Sequence, residues 1–312
     1  MRPLPALLAR LRPPVIPLVR ITGVLGPGLR PGAAVTLRAL ERPLRTAFAL
    51  RRAPAVALVI SSPGGAPAQA ELIAHRIRTL ADRHRRTVLA FVEDVAASGG
   101  YWIACAADEI VAAPTSLVGS VGVVTTGFGL HEFLARHGIE RRVHARGPLK
   151  DFLDPFRPED PAHVAVLEEL QADLHESFLA WVRSRRGTRL AVDEETLASG
   201  RLWTGRRAHA LGLVDHLGDV ESFLRERYGP RVRLRPLPAG RPPWPLGWLE
   251  RGVTLFAERL VEAVLLRLGW ARPPQLSLPL SRPRPSPRWG SRWREGIRCS
   301  ASRSARSSSP CW

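Results

Sequence analysis

Lysine occurs once in this chain, at Lys150 in the stretch RRVHARGPLKDF (residues 141–152), although 46 residues are lysine or arginine. A lysine amine can lose its proton inside a protein and act as a base or Schiff-base former, whereas a guanidinium stays charged. A position that needs a base therefore cannot follow the arginine bias of the rest of the chain. The alternative is that Lys150 is an ordinary residue of a solvated loop.

A serine in a glycine-rich segment is the second candidate for chemistry. Ser98 lies in DVAASGGYW (residues 94–102), where a predicted strand turns into a predicted helix. Such a turn exposes a hydroxyl beside small residues, as a serine nucleophile requires. Serine is also among the best helix N-caps, so the alternative is that Ser98 only caps the helix that follows.

A second glycine loop, SSPGG (residues 61–65), follows the preceding predicted strand. Gly64 and Gly65 allow another group to approach the backbone closely and leave its N–H groups accessible. One N–H from this loop and one from Gly99 could form an oxyanion hole, in which a donor typically contributes about 3–4 kcal/mol to transition-state stabilisation. The alternative is a plain Pro-Gly turn.

The segments SSPGG, AASGGYW, GSVGV and GPLKDF, in this order, resemble the motifs of the signal peptide peptidase A, protease IV and SohB family of serine peptidases. The resemblance is greatest to short, single-domain bacterial members and runs from about Val15 to about Arg235. It includes the later segment SGRLWTGRRAHALGLVDHLGD (residues 199–219). The resemblance implies a ClpP/crotonase-like fold and a Ser-Lys dyad.

Five site residues follow from matching this sequence to the family motifs. The resemblance implies that Ser98 is the nucleophile, that Lys150 is the general base and that the hydroxyl of Ser120, in VGSVGV, orients the lysine amine. It also implies that Gly65 and Gly99 supply the oxyanion hole. It implies neither a cofactor nor a metal ion.

The lysine amine has to be uncharged when it accepts the serine proton. Burial in an apolar pocket disfavours the charged amine, and Leu149, Phe152 and Leu153 could line such a pocket. The carboxylate of Asp151 would have to point away, because a neighbouring negative charge favours the ammonium form.

The resemblance also implies the substrates and the assembly. Hydrophobic peptides, such as released signal peptides or unfolded membrane-protein segments, are the expected substrates, and a homo-oligomer whose protomers can share the dyad is expected. The chain departs from the family in two respects. The first loop begins with Ser61 where the family usually has Asn, and the N-terminal membrane anchor common in the family is not recognisable.

Apolar strands alternate with amphipathic helices along the chain, which predicts an α/β fold with a mostly parallel sheet. Strands are predicted at 14–24, from 55, at 87–94, at 109–112 and at 117–124. Helices are predicted at 43–50, 69–84, up to about 107, at 130–137 and at 159–185, with an extended segment at 141–145. A helix, a glycine turn and a short strand recur through 206–224.

Four regions are expected along the chain. Residues 1–14 form a Pro-rich lead, and residues 15–238 form the peptidase domain of repeated β-β-α units. Residues 239–270 form a linker with an amphipathic helix at 251–268, which could lie on a membrane surface or pack on protein. Residues 271–312 carry nine arginines against one glutamate and are expected to be disordered.

Composition narrows the surroundings in which the protein works. The formal charge of +18 fits an anionic membrane surface or acidic partners, while no motif indicates specific nucleic-acid binding. Three cysteines give no paired framework, which indicates either a reducing compartment or a protein that is indifferent to redox conditions. No signal peptide or membrane-spanning stretch is recognised. Together with the resemblance, which implies a bacterial source, these features predict a protein of the cytoplasm or of the periphery of the inner membrane.

Two further functions remain open on the sequence. A crotonase-like acyl-CoA hydratase or isomerase would use the glycine loops to polarise a thioester, usually with an acidic base and without any need for Lys150. A non-enzymatic protein that binds membrane surfaces would depend on the net charge and the tail.

Overall fold

The computed structural model describes residues 13–26 and 35–238. The predictions for 1–12, 27–34 and 239–312, including the helix at 251–268 and the tail at 271–312, lie outside these residues. The helices and strands of the described residues, in chain order, are β1 (Val15–Thr22), α1 (Leu37–Ala49), β2 (Ala55–Ser62), α2 (Pro67–His84), β3 (Thr87–Ala97), α3 (Gly99–Ala104), β4 (Glu109–Ala112), β5 (Leu117–Gly119), α4 (His131–Arg136), α5 (Pro161–Arg186), a 3₁₀ turn (Gly187–Arg189), α6 (Glu194–Ala198), β6 (Leu202–Thr204), α7 (Gly205–Ala210), β7 (His216–Leu217), α8 (Val220–Tyr228) and β8 (Arg233–Leu237).

These strands form one sheet in the order β6-β5-β3-β2-β1-β8, with β4 paired to β3 and β7. Every pair is parallel except β5 with β6. Parallel neighbours need a crossover, and α1 and α2 provide it between β1, β2 and β3. The predicted α/β fold class is confirmed.

Strand β3 changes partner halfway along its length. Its first half, Leu89 to Val92, pairs with β4, and its second half, Val95 to Ala97, pairs with β5. Between the two halves the pairing with β2 shifts register, from Ile60 opposite Val92 to Ser62 opposite Ala96. Such irregularities bend a strand, and this one directs the end of β3 towards β5.

Apolar side chains are buried on both faces of the sheet, as expected for a covered parallel sheet. On one face Ile60 packs in a cluster with Ile73 and Ile77 of α2. On the other face Phe91 packs with Leu224 of α8. The continuous apolar runs of β2 and β3 therefore reflect burial on both sides.

Several predicted bounds differ from the structure for local reasons. Helix α1 begins at Leu37 rather than near residue 43, because the Thr36 hydroxyl caps it by accepting the Ala39 N–H at 3.2 Å. Pro43 lies inside this helix. The β-like run predicted at 117–124 is a strand only to Gly119, whose φ of +114° suits glycine. Residues 141–145 belong to no strand.

A buried ion pair fastens the end of α5 to the sheet. The guanidinium of Arg186, which is 3% exposed, donates to both carboxylate oxygens of Asp215 at 2.7 and 3.0 Å and to the carbonyl of Gly212. Asp215 also accepts the N–H of Ile110, in β4, at 2.8 Å. Because both charges are hydrogen-bonded in several directions, the loss of either partner would leave a buried charge uncompensated.

These contacts also make the pair sensitive to acid. Burial by itself would raise the pKa of Asp215, but hydrogen bonds from Arg186 and the Ile110 N–H, together with the charges of Arg186 and Arg189, outweigh burial and lower that pKa. A carboxyl group with a lowered pKa stabilises the fold above the ordinary aspartate pKa of about 3.9. That stabilisation is lost as the pH falls through the lowered value.

We expect Asp215→Asn to reduce the free energy of unfolding by about 3–5 kcal/mol at pH 7, because Arg186 loses its counter-charge. The difference from the wild type should begin to shrink as the pH falls below about 4, where the unfolded wild type takes up a proton on Asp215, and should vanish below the lowered pKa of the folded state. Urea denaturation at pH 7 and at pH 3 measures both effects. Glu221→Gln removes an exposed ion pair with Arg225 and should leave stability nearly unchanged. Equal stability of Asp215→Asn and the wild type at pH 7 would contradict this account.

Candidate active site

Ser98 occupies the single residue between β3 and α3. Its backbone has φ +50° and ψ −124°, a conformation that is uncommon for any residue other than glycine. Its N–H donates to the Gly119 carbonyl at 2.8 Å, and its carbonyl accepts the N–H groups of Tyr101 and Trp102. The backbone is thus held on both sides in a strained turn, of the type that clusters at functional sites.

The hydroxyl of Ser98 does not cap the helix that follows. Although Ser98 stands at the N-cap position of α3, its side chain makes no capping hydrogen bond. The residue is half-buried rather than enclosed. The structure therefore argues against the simple capping alternative and leaves the hydroxyl available to another group.

The SSPGG loop lies directly against this serine. A Cβ on Gly64 would stand 2.8 Å from the Cβ of Ser98 and 2.9 Å from the backbone nitrogen of Gly99. A Cβ on Gly65 would stand 2.2 Å from the carbonyl oxygen of Leu25. With φ angles of +103° and +138°, both loop positions favour glycine by conformation and by space.

Two backbone N–H groups next to Ser98 have no acceptor among the described residues. Leu25 pairs with the loop through its N–H to the Gly64 carbonyl and through its carbonyl to the Ala66 N–H. These bonds leave the N–H of Gly65 unused, and the N–H of Gly99, at the first position of α3, is also unused. These are the two groups that the sequence predicts as oxyanion donors.

Ser120 lies beside Ser98 at the end of the neighbouring strand. Ala97 pairs with Gly119, so the residues that follow on β3 and β5 are next to each other across the sheet. Ser120 has φ +53°, and its N–H donates to the carbonyl of Arg201 at 2.8 Å. The structure therefore brings together four of the five predicted site residues.

Two further serines support these turns and were not singled out in the sequence. Ser62 is fully buried, and its hydroxyl donates to the Gly23 carbonyl at 2.7 Å and accepts the Gly64 N–H at 3.2 Å. The buried Ser116 hydroxyl lies 3.0 and 2.6 Å from the Val92 and Glu93 carbonyls, at the irregularity in β3. In the sequence, only their position next to an apolar run could have indicated that these serines are buried and support the turns.

Ser61, which stands where the family usually has Asn, also has a defined partner. Its hydroxyl donates to the carboxylate of Asp94 at 2.9 Å. Asp94 is exposed and lies in the irregular part of β3. Ser61 therefore links the SSPGG loop to β3.

Lys150 lies apart from these residues, on an exposed turn. Its N–H donates to the Gly147 carbonyl at 3.2 Å, and its side chain makes neither a hydrogen bond nor an ion pair with any residue that the structure describes. The expected apolar pocket is not formed within one protomer, because Lys150 is exposed and Leu149 is 43% exposed. The carboxylate of Asp151 forms an ion pair with the guanidinium of Arg157.

Helix α5 connects the lysine turn to the serine. Near its start, His163 contacts the turn that carries Lys150. About two thirds of the way along the helix, Phe178 stacks on Trp102 of α3 with ring centroids 4.7 Å apart. Fifteen residues separate His163 from Phe178, which corresponds to about 22 Å along a helix. The turn that carries Lys150 and the helix that follows Ser98 thus contact α5 at positions far apart.

We call residues 124–171 the arm. Every hydrogen bond that the structure shows for residues 124–160 has its partner within the arm. One example joins the side chains of Gln171 and Thr125 at 3.1 Å. Apolar side chains on the arm face solvent, with Val124 81% and Phe128 83% exposed. Contact with another molecule would remove these apolar side chains from water.

Among residues 13–26 and 35–238, no cluster of three or more His, Cys, Asp or Glu side chains is placed to hold a metal ion. None of the helices in these ranges has both the length and the apolar composition needed to cross a bilayer. The thiol of Cys105 is buried, and burial raises its pKa to about 12. Cys105 is therefore a packing residue rather than a nucleophile.

The chain is similar in sequence to several known proteins. The chain is 49% identical over 242 residues to the Na(+)/H(+) antiporter NhaA of Brucella abortus, a match that covers 74% of this chain and 32% of that protein. The chain thus spans about a third of the length of that relative, whose name describes the whole longer protein. It is 31% identical over 204 residues to the slr0021 protein of Synechocystis sp., covering 65% of this chain and 69% of that protein.

A solved structure shows a looser likeness. A mutant of the 1510-N membrane-bound stomatin-specific protease, in complex with a substrate peptide, superimposes with a TM-score of 0.47 at 16% identity. The superposition covers 77% of this chain and 97% of that one.

The family match covers the part of the chain that contains both halves of the candidate dyad. The model for peptidase family S49 matches residues 81–227, which include Ser98 and Lys150. Together with the similarity to slr0021 over two thirds of that protein, this match shows that the chain belongs to peptidase family S49.

Proposed function

We propose that the chain is a serine endopeptidase in which Ser98 is the nucleophile and Lys150 is the general base. The observation that carries the proposal is the strained turn at Ser98. The Ser98 hydroxyl makes no capping hydrogen bond, and Gly64 and Ser120 lie beside it. A nucleophile held on a sharp strand-to-helix turn is presented in this way in other hydrolases. Membership of peptidase family S49 supports the same chemistry.

The mechanism proceeds through an acyl-enzyme. The neutral amine of Lys150 takes the proton of the Ser98 hydroxyl, and the serine oxygen attacks the peptide carbonyl carbon. The resulting oxyanion accepts hydrogen bonds from the N–H groups of Gly65 and Gly99. The C–N bond then breaks, the lysinium protonates the leaving amine, and a water molecule, deprotonated by Lys150, hydrolyses the ester. The Ser120 hydroxyl orients the lysine amine.

Within this proposal, Lys150 reaches the serine of a second copy of the chain. Three observations support sharing of the dyad between protomers. Lys150 is exposed, and its side chain has no partner among the described residues. Its turn contacts α5 about 22 Å along the helix from the Trp102 contact. The arm exposes Phe128 and Val124. Contact with a second copy would bury these apolar side chains and provide the low-polarity surroundings that a neutral amine needs. The active enzyme is then a homo-oligomer.

The proposed substrates are hydrophobic peptides bound in extended form, such as signal peptides or unfolded segments of membrane proteins. The family membership supports peptide substrates. The net charge of +18 supports contact of the oligomer with an anionic membrane surface.

The nucleophile and base can be tested with a labelled fluorophosphonate. We expect the wild-type protein to form an adduct on Ser98, Ser98→Ala to form none, and Lys150→Arg to react about 10²–10⁴-fold more slowly, because a guanidinium cannot accept the serine proton. The rate of adduct formation and peptide mapping by mass spectrometry provide the measurement.

Ser199→Ala is the matched control, because its hydroxyl only bonds the Thr196 carbonyl, and it should react as the wild type does. An unchanged rate in Lys150→Arg would remove Lys150 from the mechanism. Turnover of an acyl-CoA thioester without a serine adduct would favour the hydratase alternative instead.

Sharing of the dyad predicts complementation between inactive variants. Ser98→Ala and Lys150→Ala should each be inactive alone, since each lacks one half of every site. Co-expressed in equal amounts with two different tags, they should recover about a quarter of the wild-type peptidase activity, because a quarter of the interfaces then pair an intact serine with an intact lysine. Mixed oligomers that carry both tags but have no activity would show that the dyad is not shared.

The close approach of Gly64 to the serine gives a third prediction. In Gly64→Ala the new methyl group would press on the Cβ of Ser98 and on the backbone nitrogen of Gly99. We expect kcat to fall by about 10²-fold or more, as when an oxyanion donor is lost. Gly229→Ala has a comparable φ of +93° but open space around the Cβ, so it separates backbone strain from the clash. Equal activities of the two variants would contradict the role of the loop.

A further inference from the structure

His163 is buried in the first turn of α5, with 8% of its surface exposed. Both of its ring nitrogens contact the backbone of the turn that carries Lys150. Nδ1 lies 3.4 Å from the backbone nitrogen of Leu153, and Nε2 lies 3.4 Å from the Pro148 carbonyl oxygen. One imidazole therefore spans the turn from the second residue before Lys150 to the third residue after it.

The two backbone partners determine the proton arrangement of this ring. The N–H of Leu153 can only donate, so Nδ1 must accept, and the Pro148 carbonyl can only accept, so Nε2 must carry the proton. A neutral imidazole has one donor and one acceptor and satisfies both contacts at once. Neither an aliphatic side chain nor a doubly protonated ring could make this pair of hydrogen bonds.

The turn needs such support because its own backbone is strained. Leu153 has φ +52°, a left-handed backbone conformation that is unfavourable for residues other than glycine. Phe152 places its ring against His163, with centroids 5.6 Å apart. The strained residue is thus the one whose N–H donates to the imidazole, and its neighbour packs on the same ring.

We infer that His163 is a positioning residue for Lys150. The inference rests on the proposed function, in which Lys150 is the base. By bridging Pro148 and Leu153, the imidazole restricts the turn and so limits the directions in which the amine can project. A base that is displaced by about 1 Å can cost about 100-fold in rate, so this restriction affects catalysis although His163 touches neither substrate nor serine.

A set of full-length variants tests this role. His163→Leu retains bulk but makes neither hydrogen bond, and His163→Asn retains an acceptor near the Nδ1 position. His175→Leu, on the same helix, is the matched control. For each protein we would measure kcat and KM on a fluorogenic hydrophobic peptide, the rate of fluorophosphonate modification of Ser98, the thermal midpoint, and hydrogen–deuterium exchange of the peptide covering 147–154.

We expect His163→Leu to lower kcat and the modification rate about 10- to 100-fold. KM and the thermal midpoint should stay near the wild-type values, and exchange in 147–154 should be faster. His163→Asn should recover part of the loss, and His175→Leu should match the wild type. Faster exchange of 147–154 in His163→Leu than in the wild type would show directly that the imidazole restricts the turn.

The outcomes separate the inference from the proposed function. If wild-type Ser98 is modified but His163→Leu retains the wild-type kcat or the wild-type exchange, the positioning role is wrong and the dyad stands. If His163→Leu lowers the thermal midpoint and raises KM in parallel, the residue is structural and the inference is wrong. If wild-type Ser98 is not modified at all, the proposed function fails, and the role of His163 in catalysis fails with it.

Discussion

The hydrogen bond from the N–H of Ser98 to the carbonyl of Gly119 is the contact on which the rest of the site depends. It extends the pairing of β3 with β5 by one residue, to the point where the chain has to turn into α3. Because the backbone is still bound to the sheet there, the turn is taken in a strained conformation at Ser98 itself. The same pairing places Ser120 alongside, and the bend of β3 towards β5 is supported from behind by Ser116. Ser98, the neighbouring Ser120 and the glycine loop thus meet where β2, β3 and β5 end.

Much of this arrangement could be predicted from local sequence patterns. The short apolar runs of β2 and β3, which are rich in β-branched residues, favour strands, and the apolar spacing of α5 favours a helix. Parallel strands place their carboxyl ends at the same edge of the sheet. The loops at Gly64 and Ser98 follow directly from that arrangement, because each interrupts an apolar run at a strand end. The family resemblance then assigned the roles of Ser98, Lys150 and Ser120, and the structure agrees with it in bringing the two serines together.

What could not be predicted depends on pairing between distant parts of the chain. The short strands β6 and β8 owe their existence to partners β5 and β1, and five or fewer residues leave no periodicity to detect. The register change between β2 and β3 is likewise invisible in sequence, since every residue on both sides of it is compatible with a strand. The same limit applied to Lys150. Its type marked it as a candidate base, but only the tertiary structure shows that its turn belongs to an arm rather than to the sheet.

The proposed dyad would be divided between the sheet and the arm, and this division has a physical consequence. A lysine in water retains its proton, so an amine on an exposed turn cannot act as a base until something excludes water from it. If a second copy does so, the step that buries the arm also activates the base, and catalysis depends on assembly rather than on any change in the sheet. The protomer would then need a turn that is ordered before assembly, since a mobile lysine would lose further entropy on docking. The imidazole that links Pro148 to Leu153 provides such order within the free arm, where the lysine side chain itself has no partner.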